Sequence, residues 1–325
     1  MNAPPPQVSV IIPCFRAAET IGLQLASLSD QIDPPPFEVV LVDNDPAGDL
    51  ESAVERFRSS PAFELRIVPA HEHQGSSYAR NVGIAHARSE SLLFCDADDV
   101  VSQTWVRNGA RTTETAALWS GSAIPLAPTY FTHGPGPVRA EIDAPPPSWE
   151  APLDDQRTPF PILMAGNFGA RRTTLIELRG FDQSFAHFGD DNDLAFRARR
   201  AGHRIPISKC VRIGYRGRTR LRTRLRYAYS AAEAKRVLLA RHDAADLSTV
   251  LPWHEDLLRT AAASALLPLR RSATVEEILL RWAYALGNTR GSFRRGPADA
   301  PRDLLGAGLP QAVVGRNPTS KEDGT

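Results

Sequence analysis

Ser91-Leu92-Leu93-Phe94-Cys95-Asp96-Ala97-Asp98-Asp99 is the stretch that decides the fold. An unbroken apolar run of strand length that stops at three carboxylates reads as a strand buried on both faces, with its carboxyl end at a polar rim. The same grammar recurs toward the N-terminus. Val8-Ser9-Val10-Ile11-Ile12 is closed by Pro13, and Phe37-Glu38-Val39-Val40-Leu41-Val42 by Asp43-Asn44-Asp45-Pro46; Leu65-Arg66-Ile67-Val68 is a third such run. Between them lie helical stretches: 19–30, with Ile21, Leu25 and Leu28 at helical spacing, then 50–57 and 76–86. Strands alternating with helices imply parallel βαβ units covered on both faces. Ligands of such sheets bind beyond the carboxyl ends of the strands. Pro13-Cys14, Asp43-Asn44-Asp45 and Asp96-Ala97-Asp98-Asp99 are therefore expected on one rim.

Toward the C-terminus, residues 125–161 are rich in Pro and Gly and poor in pattern, and a long loop over the site is expected there. Order returns from Leu163 to about Ile213. Residues 216–286 read as helical, with Leu221, Leu225, Tyr229 and Ala232 on one face; 253–267 and 275–286 are further helices. The tail from Gly296 is polar and proline-containing, and disorder is expected. The domain plan is then a flexible 1–6, an α/β domain over 7–213, a helical extension over 214–295 and a disordered tail over 296–325.

With 325 residues and a net charge of +1, the chain holds one large domain plus an appendage, and its global balance gives no reason to expect a nucleic-acid partner. The dense arginines of 216–226 form either an amphipathic surface for anionic lipid or a polyprenyl phosphate, or a solvated face of a helix packed through its leucines. Cys14, Cys95 and Cys210 lack metal-ligand spacing and read as free thiols in a reducing compartment. The N-terminus is unlike a signal peptide, and no apolar run reaches the ~18 residues of a membrane span. A cytoplasmic protein is expected, with peripheral contact at the inner membrane surface through 216–242. The histidines show no metal spacing and read as surface or loop residues. The absence of G-x-S-x-G, P-loop and G-x-G-x-x-G patterns argues against hydrolase, kinase and dinucleotide-binding functions.

Asp96 and Asp98 at a strand end suit a hard cation such as Mg²⁺ or Mn²⁺, which keeps open positions for phosphates; the alternative is a solvated acidic turn. Asp43 and Asn44 face a nucleobase or ribose, or form an Asx turn. Arg80 either forks onto a diphosphate or lies on a helix surface. Asp190 and Asp191 either cap the following helix or supply a general base.

Taken together the set resembles glycosyltransferase family 2. Val8–Phe15, Leu41–Asp45, Ala79-Arg80-Asn81-Val82-Gly83, Phe94–Asp99, Gly166–Arg172, Gly180-Phe181-Asp182 and Gly189-Asp190-Asp191-Asn192-Asp193-Leu194 occur in that family's order, across roughly residues 7–213. The resemblance implies a GT-A (Rossmann-like), mostly parallel sheet flanked by helices, a nucleotide-diphospho-sugar donor, usually a UDP-sugar, and inversion at the anomeric carbon. It places Pro13, Phe15, Asp43, Asn44, Arg80 and Asp96 in donor binding, and Asp98 with Asp96 on a divalent cation. Asp191 becomes the catalytic base with Asp190 as competitor, and Asn167 and Asp190 lie on the acceptor side. A carbohydrate or lipid-linked acceptor follows, in glycan, polysaccharide or glycolipid synthesis. Three departures stand out. Asn44 replaces the usual second aspartate, Asp190-Asp191 replaces Glu-Asp, and Ile213-Gly214-Tyr215 occupies the place where many members carry a metal-binding histidine. A non-catalytic nucleotide-sugar or carbohydrate-binding protein of the same fold is the alternative reading.

Overall fold

Four apolar runs become parallel strands: β1 (Val8–Cys14), β2 (Phe37–Asp43), β3 (Glu64–Pro69) and β4 (Ser91–Cys95). They are joined by α1 (Ile21–Ser29), α2 (Leu50–Val54) and α3 (Ser76–His86). β1 lies between β2 and β4, with Val8 opposite Phe37 on one side and Ser91 on the other. The strand period of two splits the apolar side chains between the faces. Val10, Ile12, Val39 and Leu41 pack with α1 on one side, whereas Ile11, Val40 and Val42 meet Ala79 and Val82 of α3 on the other. Glu38, a carboxylate buried in this core, is satisfied by Ser9 Oγ (2.7 Å), the Arg88 backbone N–H (2.8 Å) and Arg66 (2.8 Å). The structure is a computed structural model and describes residues 4–145, 147–154, 160–185, 188–244, 250–266, 274–293 and 304–310.

The sheet continues in mixed fashion, in the order β3-β2-β1-β4-β7-β6-β8-β5. The added strands are β5 (Val100–Val101), β6 (Leu118–Leu126), β7 (Asn167–Arg171) and β8 (Ile207–Arg216); α4 (Trp105–Thr115), α5 (Gly136–Ile142), α6 (Arg172–Glu177) and α7 (Asp190–Arg200) flank them. β7 runs antiparallel to β4, so Phe168 stacks on Phe94 across the ladder at 4.2 Å. Such pairs contribute about 0.5–1.5 kcal/mol beyond their burial. The stack lies two residues before Asp96 and so fixes the strand tip from beneath. Gly169 is required beside it, because an added Cβ would fall 2.2 Å from the Trp119 ring.

Several expectations are corrected by the tertiary structure. Residues 125–161 are not one long loop: β6 extends to Leu126, and α5 buries Val138 and Ile142 against Val100 and Phe131. The 213/214 boundary falls inside β8, which reaches Arg216. The arginine-rich stretch becomes helical only at Leu221, where α8 (Leu221–Arg241) begins, and Leu221 itself is exposed. α9 (Trp253–Ala265) and α10 (Val275–Phe293) follow. α10 closes on α8 through Gly287 and Gly291, whose added Cβ atoms would fall 2.1 Å from the Tyr229 carbonyl and 2.8 Å from that of Glu233. Part of the tail expected to be disordered is ordered. Leu305 bridges to Asp182, Leu309 is buried beside α3, and the Asn81 side chain donates to the Ala307 carbonyl at 2.8 Å. The rest of 296–325 lies outside the described residues. Among the described residues no helix is long and apolar enough to cross a membrane.

Candidate active site

The carboxyl ends of β1, β2 and β4 meet the start of α7 at one rim, and Arg80 joins the last two of these. It projects from the first half of α3, is only 4% exposed, and donates to Asp96 Oδ1 at 3.1 Å and to Asp190 Oδ2 at 3.3 Å. The alternative of an arginine on the helix surface is overturned. Its two outer nitrogens are engaged by carboxylates from β4 and α7, so it ties the two acidic tips together. Asp190 also accepts from Ser77 Oγ at 2.7 Å. Ser77 went unnoticed in the sequence because a serine in the first turn of a helix is unremarkable; only a carboxylate arriving from 113 residues away gives it a role.

α7 begins one residue after the left-handed Gly189 (φ 95°), and neither Asp190 nor Asp191 is a capping side chain. Both stand in the first turn, where the helix dipole favours negative charge. Their surroundings differ. Asp190 is buried and doubly bonded, whereas Asp191 has the backbone N–H of Asn192 at 2.7 Å as its short contact. Burial first, and then the charge of Asp190, push the Asp191 carboxyl up to about 6. Asp193, one turn on, is held below the ordinary value by His242 and Arg197, at 2.8 Å each, which outweigh its burial. His242, in the turn after α8, is thus a buried partner stacked on Phe196; of the surface or loop position expected, only the loop holds. Arg241 beside it pairs with Asp182 at 2.6 Å, both fully enclosed.

At the tip of β4, Asp98 is exposed, Asp96 half-exposed and Asp99 buried. Desolvation and the charge of Asp96 raise the carboxyls of Asp98 and Asp99 above the usual range. Arg216 donates to the Asp98 carbonyl at 3.1 Å and so fixes the turn. Gly166 passes over it: a Cβ there would sit 2.7 Å from Asp96 Oδ2. Among the described residues no three His, Cys, Asp or Glu side chains are grouped to hold a metal. The donor set still suits a hard cation of the kind bound by one or two carboxylates and completed by substrate phosphates, because mutually repelling carboxyls gather at an open rim. The segment Ile213-Gly214-Tyr215 packs closely here. Gly214 pairs with Val100 next to this turn, and any Cβ on it would fall 2.4 Å from Val138.

The donor-side residues separate into two groups. Phe15 presents its ring at 45% exposure, Pro13 is half-buried, and Asp43 keeps a partly open carboxylate with His71 Nε2 at 3.1 Å. A cavity of about 370 Å³ opens beside them, lined by Cys14, Arg16, Asp43 and Asp45. Asn44, in contrast, is turned inward. Its amide donates to the carbonyls of Ala70 and His73 and accepts from the Gly75 backbone N–H at 2.7 Å, so it shapes the 70–75 loop and does not face a base. Asn167 is likewise corrected. It is wholly buried, accepts from the Trp105 indole at 2.9 Å and donates to the carbonyls of Ser122 and Val211; it clamps β6, β7 and β8 together and cannot touch an acceptor.

Residues 9–122, which hold every donor-side group above, match the family model for glycosyl transferase family 2. Over these residues the chain is similar to glycosyltransferase family 2. Glycosyltransferase AglE of Haloferax volcanii is 34% identical over 145 residues, 43% of this chain and 45% of that protein. Chondroitin synthase of Escherichia coli is 23% identical over 225 residues, covering 60% of this chain and 32% of that one. The matches span less than half the length of these relatives. Among solved structures, the mannosyltransferase PcManGT of Pyrobaculum calidifontis, in complex with GDP-Man and Mn²⁺, superposes with a TM-score of 0.54 at 25% identity, covering 88% of this chain and 87% of that one. TarS of S. aureus with UDP-GlcNAc gives 0.50 at 17%, covering 87% and 90%, a likeness of fold.

Proposed function

We propose that this chain transfers a sugar from a nucleoside-diphosphate donor to a hydroxyl acceptor with inversion at the anomeric carbon. The observation that carries the reading is the Arg80 tie. It brings the acidic tip of β4 and the start of α7 to one rim, and leaves Asp98 on one side and Asp191 on the other with no cationic side chain bound to either among the described residues. Phe15 and Asp43 suit the nucleoside, the ring by stacking and the carboxylate by accepting from a base or ribose. Asp98, with Asp96, would hold a divalent cation together with the donor phosphates. When bound, that ion supplies positive charge where the departing diphosphate gathers negative charge.

Asp191 then does the protein's own chemistry. Its carboxylate takes the proton of the acceptor hydroxyl as the oxygen attacks the anomeric carbon from the face opposite the phosphate. One carbon–oxygen bond forms, the bond to phosphate breaks, the nucleoside diphosphate leaves with the electron pair, and the proton stays on Asp191. Asp190 is the weaker candidate, because Ser77 and Arg80 already engage the same oxygen.

PcManGT holds GDP-Man with Mn²⁺ and TarS holds UDP-GlcNAc, so both nucleobases belong in the test. The thermal midpoint is measured with UDP- and GDP-sugars, with and without Mn²⁺ or Mg²⁺. One donor is expected to raise it only when the cation is present, and Asp98→Ala to abolish that rise. If no nucleotide sugar stabilises the protein with either ion, the reading is wrong. If binding occurs without turnover on any hydroxyl acceptor, the chain is a binding protein of this fold.

A further inference from the structure

Away from the donor side, a cavity of about 720 Å³ lies between the ends of β6 and β8 and the facing sides of α8 and α10. Tyr215, Tyr227 and Tyr284 wall it, and Arg218, Arg224 and Arg281 line it. Among the described residues the cations outnumber the carboxylate that pairs with them: Glu276 binds Arg224 and holds it in place. Arg218 lies over the Tyr227 ring at 4.2 Å, an arrangement that orients the guanidinium without using its N–H donors. Arg281 is exposed and makes no ion pair among the described residues.

Its position links this cavity to both acidic tips. Tyr215 precedes Arg216, which holds the Asp98 carbonyl; Tyr227 meets Phe188 edge-on at 5.0 Å, two residues before Asp190. A group anchored here therefore lies beside the proposed reacting centre, on the side remote from Phe15 and Asp43. Guanidinium forks match phosphoryl oxygens in geometry as well as charge, and tyrosine rings give a sugar or an alkyl chain an amphipathic wall. Arginines on a merely solvated helix face would have no reason to converge with a second helix on one open, aromatic-walled cleft.

We propose that this cavity binds the phosphoryl group of a phosphorylated acceptor. The inference rests on the transferase reading above, yet its test is independent of turnover. Binding of inorganic phosphate and of glucose 1-phosphate is measured by calorimetry in the presence of EDTA, which removes any cation-dependent binding on the donor side. Flotation with phosphatidylcholine vesicles containing phosphatidic acid provides a second arm. The Arg218→Gln/Arg281→Gln double variant is compared with Arg222→Gln, which changes an exposed arginine that does not line the cavity.

Loss of charge-assisted bonds from two arginines should weaken the phosphate probe roughly tenfold or more, and Arg222→Gln should leave it unchanged. Loss confined to the soluble probes indicates a water-soluble sugar phosphate, and loss confined to the vesicles a lipid phosphate. Unchanged binding in the double variant in both arms, or no binding by the unaltered protein in either, overturns the proposal. Both substituted residues are exposed, and an unchanged thermal midpoint verifies the fold. Nucleotide-sugar binding with Mn²⁺ is followed in parallel. If it fails while the arginine-dependent phosphate binding holds, the donor reading falls and the cavity stands; the reverse result removes the cavity alone.

Discussion

The turn Asp96-Ala97-Asp98-Asp99 and the helix start Asp190-Asp191-Asn192-Asp193 each carry three carboxylates, and the protein treats them differently. In the second, two of the three are matched: Asp190 by Ser77 and Arg80, and Asp193 by Arg197 and His242. In the first, only Asp96 has a cationic side chain bound to it among the described residues, while Asp98 and Asp99 remain under like-charge pressure. A matched buried carboxylate is scaffold, since removing its partner leaves a desolvated charge. An unmatched one holds free energy that a ligand, a cation or a proton can release. The contrast therefore sorts acidic residues into those that hold the rim together and those available for chemistry.

The sharpest way to break this comparison is at Asp191. Asp191→Asn should lower the transfer rate on the order of 10²–10⁴-fold while donor binding persists and stability is unchanged or raised, because a like-charge contact with Asp190 disappears. A steady-state assay alongside a melting curve checks both halves, and a full rate in the variant would assign the base elsewhere.

The matched class should behave oppositely. Arg241→Met leaves Asp182 enclosed without its partner, so a loss of about 3–5 kcal/mol is expected, read as a lower urea midpoint. A midpoint unmoved by the change would mean that the pair is not part of the scaffold. The tail offers an uncharged version of the same test. Leu309 is buried among Tyr78 and Val82 on α3, and Leu309→Ala should cost about 2–3 kcal/mol, near the low end for a buried leucine.

The pH profile sharpens the comparison further. A base is active without its proton, so the rate should rise through about 6, the value to which Asp191 is pushed, and fall about tenfold per pH unit below it. Stability linked to the same group runs the other way. Its folded value exceeds the ordinary 3.8, so its contribution is present below that pH and is lost as pH rises through about 6. A rate independent of pH between 5 and 7 would remove Asp191 from the proton transfer. At the small end, the exposed pair Arg107–Asp33 at 3.3 Å should matter little. Arg107→Ala is expected to change stability by under about 1 kcal/mol.

Much of this was legible without coordinates, for local reasons. Uninterrupted apolar runs such as Val8–Ile12 and Ser91–Cys95 can be satisfied only by burial on both faces, and α3 has the bounds its small-residue run suggested. Strand tips that end in Asp or Pro announce a polar rim. Other pieces were illegible because their meaning is a pairing across the chain. Asn44 and Asn167 look like ligand-facing amides until three internal partners each are found for them. His242 looks like a surface residue until Asp193 meets it, and the tail looks disordered until Leu305 and Leu309 find β-bridge and core partners.

By itself, then, the sequence determined the alternation of strands and helices, the rim on which the acidic tips lie, and the family resemblance of residues 7–213, because apolar periodicity and turn chemistry act over a few residues. Only the tertiary structure decided which carboxylates are neutralised and which are left open, and where Arg218 and Arg224, two of the six alternating arginines between 216 and 226, converge with a second helix. Burial and charge compensation depend on groups a hundred residues apart in the chain, and these contacts exist only once the chain has folded.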